Sequence, residues 1–171
     1  MAKLSIARVD AMAKDELVAA FGDVAEQAPW VAQAAAARRP FGAREAMIVA
    51  FARAVAQASV DLQLALLCAH PDLAGKAALA GTLTADSGAE QARAGLDRLT
   101  PEELARFSAL NARYRERFGF PFIFAVKGAT KGGILAAFEA RLANDIETER
   151  AAALAQVSRI MRYRLEDRVE G

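Results

Sequence analysis

The sequence contains one histidine, His70. It stands directly before Pro71 and at the end of the apolar run 62–69. Imidazole is the side chain best suited to moving a proton near neutral pH. Helix ends and the loops after them are where scaffolds present reactive groups. His70 is therefore a candidate general acid or base, with a surface or helix-capping histidine as the plainer alternative. The single cysteine, Cys68, lies two residues earlier. On a continuous helix the two side chains point to different faces, so no Cys–His dyad is expected, and Cys68 reads as a small buried hydrophobe.

Ser87, Glu90 and Gln91 form a second group. Ser87-Gly-Ala-Glu90 has the spacing of a capping box that opens a helix, which by itself needs no ligand. The same geometry also offers unsatisfied N–H groups and a positive dipole end. Glu90 and Gln91 would add an acceptor and an amide able to grip a polar heterocycle, such as a ureido or imide group. Arg164 is the third candidate. Val157, Ile160, Met161, Arg164 and Leu165 share one helix face by three- and four-residue spacing, which puts a guanidinium on an apolar stripe. A buried cation needs an anion. The plain reading is a snorkelling side chain or a pair with an internal carboxylate, and the functional one is a substrate carboxylate gripped by two bonds.

Other constellations are weaker. Residues 128–133 are glycine-rich but lack the residue order of a P-loop. A triad of Ser87, His70 and Asp72 has no nucleophile elbow. Nothing around Lys76 or Lys131 argues for a Schiff base. One cysteine and one histidine exclude an intrachain disulfide, a cysteine-based zinc site and a His-pair metal site, so no metal is expected.

The elements that must position these residues read as helices. Alanine, the best helix former, dominates, and isoleucine, threonine and tyrosine are scarce. Apolar residues recur at three- and four-residue spacing almost throughout. The pattern predicts helices over 14–21, from Pro29 to before Pro40, over 43–58 (with Met47, Phe51, Ala54 and Val55 on one face) and over 62–69. Residues 70–88 read as irregular, with some helix around Lys76. A helix opens at Ser87, and another opens at the box Thr100-Pro-Glu-Glu103 and runs to Phe118. Phe120–Val126 reads as a short, buried, extended segment, because Pro121 disfavours helix there. Residues 127–133 form a loop, and helices over 134–142 and 146–169 finish the chain. The expectation is an all-α, single-domain bundle of about seven to nine helices covering 1–171.

The 171 residues carry a net charge of +1, so no basic nucleic-acid footprint exists. Glu166 and Asp167 interrupt the arginines of 159–168, which read as a solvated face. No apolar run reaches the ~20 residues of a membrane span, and the N-terminus lacks a secretory pattern. A cytoplasmic location follows as the expectation.

Taken together, the motifs identify a resemblance. Ala28-Pro-Trp-Val31, Arg39-Pro-Phe41, His70-Pro-Asp-Leu-Ala-Gly75, Ser87-Gly-Ala-Glu-Gln91, Asn111-x-x-Tyr114, Phe118-Gly-Phe-Pro-Phe-Ile123, Arg141-Leu-x-Asn144 and Arg164-Leu165 occur in order. The chain resembles the 2-oxo-4-hydroxy-4-carboxy-5-ureidoimidazoline (OHCU) decarboxylases of urate breakdown from about Pro29 to Val169. The resemblance implies an all-α fold and a decarboxylation without a cofactor that yields (S)-allantoin. It implies that His70 is the central catalytic residue with Glu90 beside it. It further implies that Pro71, Ser87, Gln91 and Arg164 line the substrate site, and that Phe122 and Ile123 supply wall and main-chain contacts. The partner is then a small-molecule ureidoimidazoline, and the resemblance allows a homodimer. A catalytically silent helical adaptor on the same scaffold is the competing expectation.

Overall fold

The computed structural model describes residues 2–171. Among them are ten helices and no strand. The helices are α1 (Ile6–Asp10), α2 (Lys14–Phe21), α3 (Trp30–Ala36), α4 (Arg44–Ala56), α5 (Val60–Ala69), α6 (Lys76–Leu79), α7 (Ala85–Arg93), α8 (Pro101–Phe118), α9 (Lys131–Arg141) and α10 (Ile146–Arg168). The all-α expectation holds. The count exceeds seven to nine because α1, five residues capped by Ser5, is too short to carry a periodic signal. No single helix among the described residues is long and apolar enough to cross a membrane.

The chain divides into two compact units, residues 2–69 with 157–171, and residues 70–156. In the first, α3 packs on α2 and α4. Its core is built from helix faces legible in the periodicity. Met47, Phe51, Ala54 and Val55 of α4 are buried, as are Val157, Ile160, Met161, Arg164 and Leu165 of α10. Leu4 and Val169 make a single parallel bridge, with Leu4 N–H donating to the Arg168 carbonyl at 2.8 Å. Cys68 is exposed, which corrects the expectation of burial. The inward face of α5 is carried by Leu66 and Leu67, and position 68 falls off it.

In the second unit α8 packs against α9 around an aromatic cluster. Tyr114 meets Phe122 and Phe138 edge-on at centroid distances of 5.4 and 5.8 Å. Phe122 stacks on Phe138 at 3.8 Å. Helix α8 begins as the sequence dictates. Thr100 Oγ accepts from the Glu103 N–H at 3.2 Å, the Glu103 carboxylate accepts from the Thr100 N–H at 2.9 Å, and Pro101 takes the first helical position. It ends at Gly119, whose φ of 78° is the left-handed C-cap that glycine adopts without a Cβ penalty.

Removing the Thr100 hydroxyl leaves a first-turn N–H of α8 unsatisfied. Thr100→Ala is expected to lower unfolding free energy by about 1 kcal/mol in a denaturant titration. A change below the error of that measurement would show that the cap contributes nothing.

Candidate active site

Seven of the eight residues singled out lie in the unit 70–156, and Arg164 lies in the other. His70 directly follows α5. It is buried, at 5 % exposure, with its Nε2 sealed from solvent. The surface reading of His70 is thereby removed.

The loop after His70 has no regular secondary structure between Pro71 and Gly75, so side chains from α7 and α8 satisfy its peptide groups. Gln91 Oε1 accepts from the Ala74 N–H at 2.9 Å, and its Nε2 donates to the Asp72 carbonyl at 3.3 Å. Asn111 Nδ2 donates to the Leu73 carbonyl at 2.9 Å. Arg115 bonds the Asp72 carboxylate at 2.9 Å, an exposed pair that adds little. Ala74 sits at φ 50°, an unusual conformation for a residue with a Cβ. At Gly75 a Cβ would meet the Asp72 Cβ at 2.6 Å, so the tight loop requires glycine there.

The start of α7 differs from the expectation. The helix opens at Ala85, not Ser87, and its N-cap is Thr84, whose hydroxyl accepts from the Ser87 N–H at 3.4 Å. Thr84 offers the same capping chemistry three residues earlier, which places Ser87 inside the first turn and Glu90 and Gln91 in the second. Their spacing puts all three on one face. Ser87 and Gln91 are buried and Glu90 half-buried. Because Gln91 grips the 72–74 backbone, that face of α7 adjoins the loop that begins at His70. The Gln91 amide is thus partly committed to the loop, with one further N–H and one further lone pair to offer.

Phe120–Val126 is neither helical nor paired in a sheet, and all of it but Phe124 is buried. Its carbonyls and amides rely on distant side chains. Arg141 Nη1 donates to the Ile123 carbonyl at 2.5 Å, and Gln156 Oε1 accepts from the Ala125 N–H at 2.9 Å. The N–H groups of Phe122, Ile123 and Phe124 make no hydrogen bond with any described residue. Buried backbone donors are rarely left so. Arg141 is itself held by Glu149, at 2.8 Å from Nε. Glu149 is fully buried and also accepts from Tyr114 and, at 2.8 Å, from Asn144 Nδ2. Burial, and then the bond to Glu149, raise the Tyr114 pKa above its ordinary value, so Tyr114 remains a donor.

Arg164 and Glu26 are 4 % and 3 % exposed. Arg164 Nη1 donates to Glu26 Oε2 at 2.9 Å and to the Val24 carbonyl at 3.3 Å. The internal-carboxylate alternative is therefore realised. Glu26 has a φ of 53°, a strained position of the kind that clusters at functional sites and persists when its surroundings fix it. Glu26, Asn111, Arg141 and Glu149 were not singled out as site residues from the sequence. Asn111, Tyr114, Arg141 and Asn144 lay inside recognised motifs, and those motifs were the available signal. Nothing local marks Glu26 or Glu149.

Gln91→Leu deletes both bonds to the 72–74 backbone. It is expected to cost about 1–3 kcal/mol and to accelerate amide hydrogen exchange at Ala74. Exchange at wild-type rate would mean that Gln91 does not hold the loop.

Comparison with known proteins bears on this arrangement. A family model described as OHCU decarboxylase matches residues 10–166. The 2-oxo-4-hydroxy-4-carboxy-5-ureidoimidazoline decarboxylase of Haloferax volcanii is 42 % identical over 168 residues, covering 98 % of this chain and 98 % of that protein. The protein of that name from Mus musculus is 37 % identical over 164 residues, covering 96 % and 92 %. Among solved structures, that of (S)-allantoin synthase matches with a TM-score of 0.78 at 31 % identity over 98 % of this chain, which spans 54 % of that one's length. A crystal structure of OHCU decarboxylase in the presence of (S)-allantoin matches in fold, with a TM-score of 0.68 at 20 % identity over 85 % of this chain and 94 % of that one.

Proposed function

The chain belongs to the OHCU decarboxylase family, and from that premise we propose how its residues carry the family's reaction. It is a carboxy-lyase that converts OHCU to allantoin in urate degradation. The observation that carries the residue assignment is His70: the sole histidine is buried at the head of a loop that Gln91 and Asn111 hold by its backbone.

Losing CO2 leaves an electron pair on the carbon that bore the carboxylate and the hydroxyl. The substrate's own adjacent C=N takes that pair, so the reaction needs no cofactor as an electron sink. The protein has to orient the carboxylate, polarise the hydroxyl and deliver one proton to one face. His70 polarises the 4-hydroxyl and, with Glu90, handles the protons. Ser87 from the same face of α7, together with the remaining donor and acceptor of Gln91, meets the ring carbonyl and ureido group. Pro71 and the Phe122 ring form wall. The N–H groups of Phe122 and Ile123 make the main-chain contacts. Arg164 holds the substrate carboxylate, and Glu26 fixes the guanidinium that does so.

In this reading residues 1–171 act as one functional domain on a small molecule in the cytoplasm, as a homodimer. The near-neutral charge supports a partner that is not nucleic acid.

OHCU also decays without help to racemic allantoin, so the test is stereochemical. OHCU generated in place from urate is mixed with protein, and the circular dichroism of the allantoin is followed. Wild type is expected to give a fast (S)-allantoin signal. His70→Asn is expected to lose most of the ~10²–10⁴-fold that general acid–base help supplies while staying folded. Racemic product at the spontaneous rate from folded wild type would sink the reading and leave the silent adaptor. Arg164→Lys is expected to fail as well, because an ammonium cannot reproduce the guanidinium fork. An unchanged kcat/KM in that variant would remove Arg164 from the carboxylate site.

A further inference from the structure

We infer that Arg141 is a positioning residue for the substrate site: it turns the Ile123–Phe124 peptide so that the Phe124 N–H is presented to a neutral carbonyl oxygen of the substrate. The inference rests on the reading of this segment as a main-chain contact surface, and it adds both a donor and the residue that aims it.

Three observations carry it. First, the peptide is anchored from one side. Arg141 Nη1 donates to the Ile123 carbonyl at 2.5 Å, while the guanidinium carbon lies 4.5 Å from the centroid of the Phe122 ring. In a trans peptide the C=O and the following N–H point in opposite directions. A carbonyl held against Arg141 therefore aims the Phe124 N–H away from Arg141. Second, that N–H bonds to no described residue, and Phe124 is the one residue of 120–126 that is not buried. A cation on the carbonyl draws electron density from the amide and makes this N–H a stronger donor than an ordinary one.

Third, Arg141 is held more firmly than a wall residue requires. Glu149, with 0 % exposure, accepts from its Nε at 2.8 Å, and Asn144 and Tyr114 occupy the remaining positions on that carboxylate. A buried ion pair is seldom the most stable way to fill a core. Its evident product here is a fixed donor aimed at one backbone carbonyl. The peptide so presented faces a part of the substrate that does not react, the ureido or ring carbonyl. Its loss is uniform binding, which raises KM and leaves kcat alone.

The experiment compares wild type, Arg141→Lys, Arg141→Met and Ile134→Val in the stereochemical assay with varied OHCU, at a temperature where circular dichroism shows each sample folded. Ile134 is a fully buried residue of the same helix, so Ile134→Val lowers stability without touching the Ile123 carbonyl. Arg141→Met is expected to raise KM about tenfold, the equivalent of one charge-assisted hydrogen bond, with kcat within a factor of two or so. Arg141→Lys, which keeps a donor for the carbonyl, should recover part of that loss, and Ile134→Val should match wild type. If Arg141→Met does not fold because Glu149 is left buried and unpaired, Arg141→Met/Glu149→Met removes both charges and carries the same expectation. An unchanged KM in a folded Arg141 variant, or a KM raised equally by Ile134→Val, overturns the inference while the decarboxylase reading stands. A folded wild type that gives only racemic allantoin sinks that reading, and this inference falls with it.

Discussion

A buried peptide group must find a hydrogen bond, and the two segments that carry the candidate site have no helix or sheet to supply one. Residues 71–75 and 120–126 run without regular structure, yet the first is buried at Leu73 and Ala74 and the second everywhere but Phe124. The structure resolves this by spending side chains on backbone. Gln91 and Asn111 serve the first segment, and Arg141 and Gln156 the second. The helices that carry those four side chains are therefore scaffold in a literal sense. They complete the bonding that irregular chain cannot complete for itself.

The same economy explains where charge is buried. Among the described residues, each unit encloses a guanidinium–carboxylate pair: Arg164 with Glu26, and Arg141 with Glu149. Such pairs offset a large desolvation cost only when further hydrogen bonds complete them. Both are completed. Arg164 also reaches the Val24 carbonyl, and Glu149 also accepts from Tyr114 and Asn144. Exposed pairs, such as Arg162 with Glu45, are of a different kind. They decorate the surface and hold little in place.

Much of the fold was legible because helix formation is local. The boundaries of α2 match the expected 14–21 span, and the Thr100 box opens α8 where its spacing says it should. The buried stripe on α10, Arg164 included, follows from three- and four-residue spacing. The misses share a cause. The Ser87–Glu90 spacing fits a capping box, but Thr84 is the residue that caps α7, which that spacing does not reveal. Cys68 is apolar enough to be core, but its angle around α5 turns it outward.

The sequence by itself determined the helical class, most helix positions, the buried arginine and the family, because each is written in periodicity, caps or ordered motifs along the chain. It also singled out His70, since a lone imidazole before a proline is visible without coordinates. What only tertiary structure decided is which polar group meets which. Glu26 lies 138 residues from Arg164, Asn111 38 from Leu73, and Ile123 18 from Arg141. Such pairings depend on how helices pack, and packing is set by the summed burial of many apolar side chains, which leaves no local mark on the polar residues it brings together.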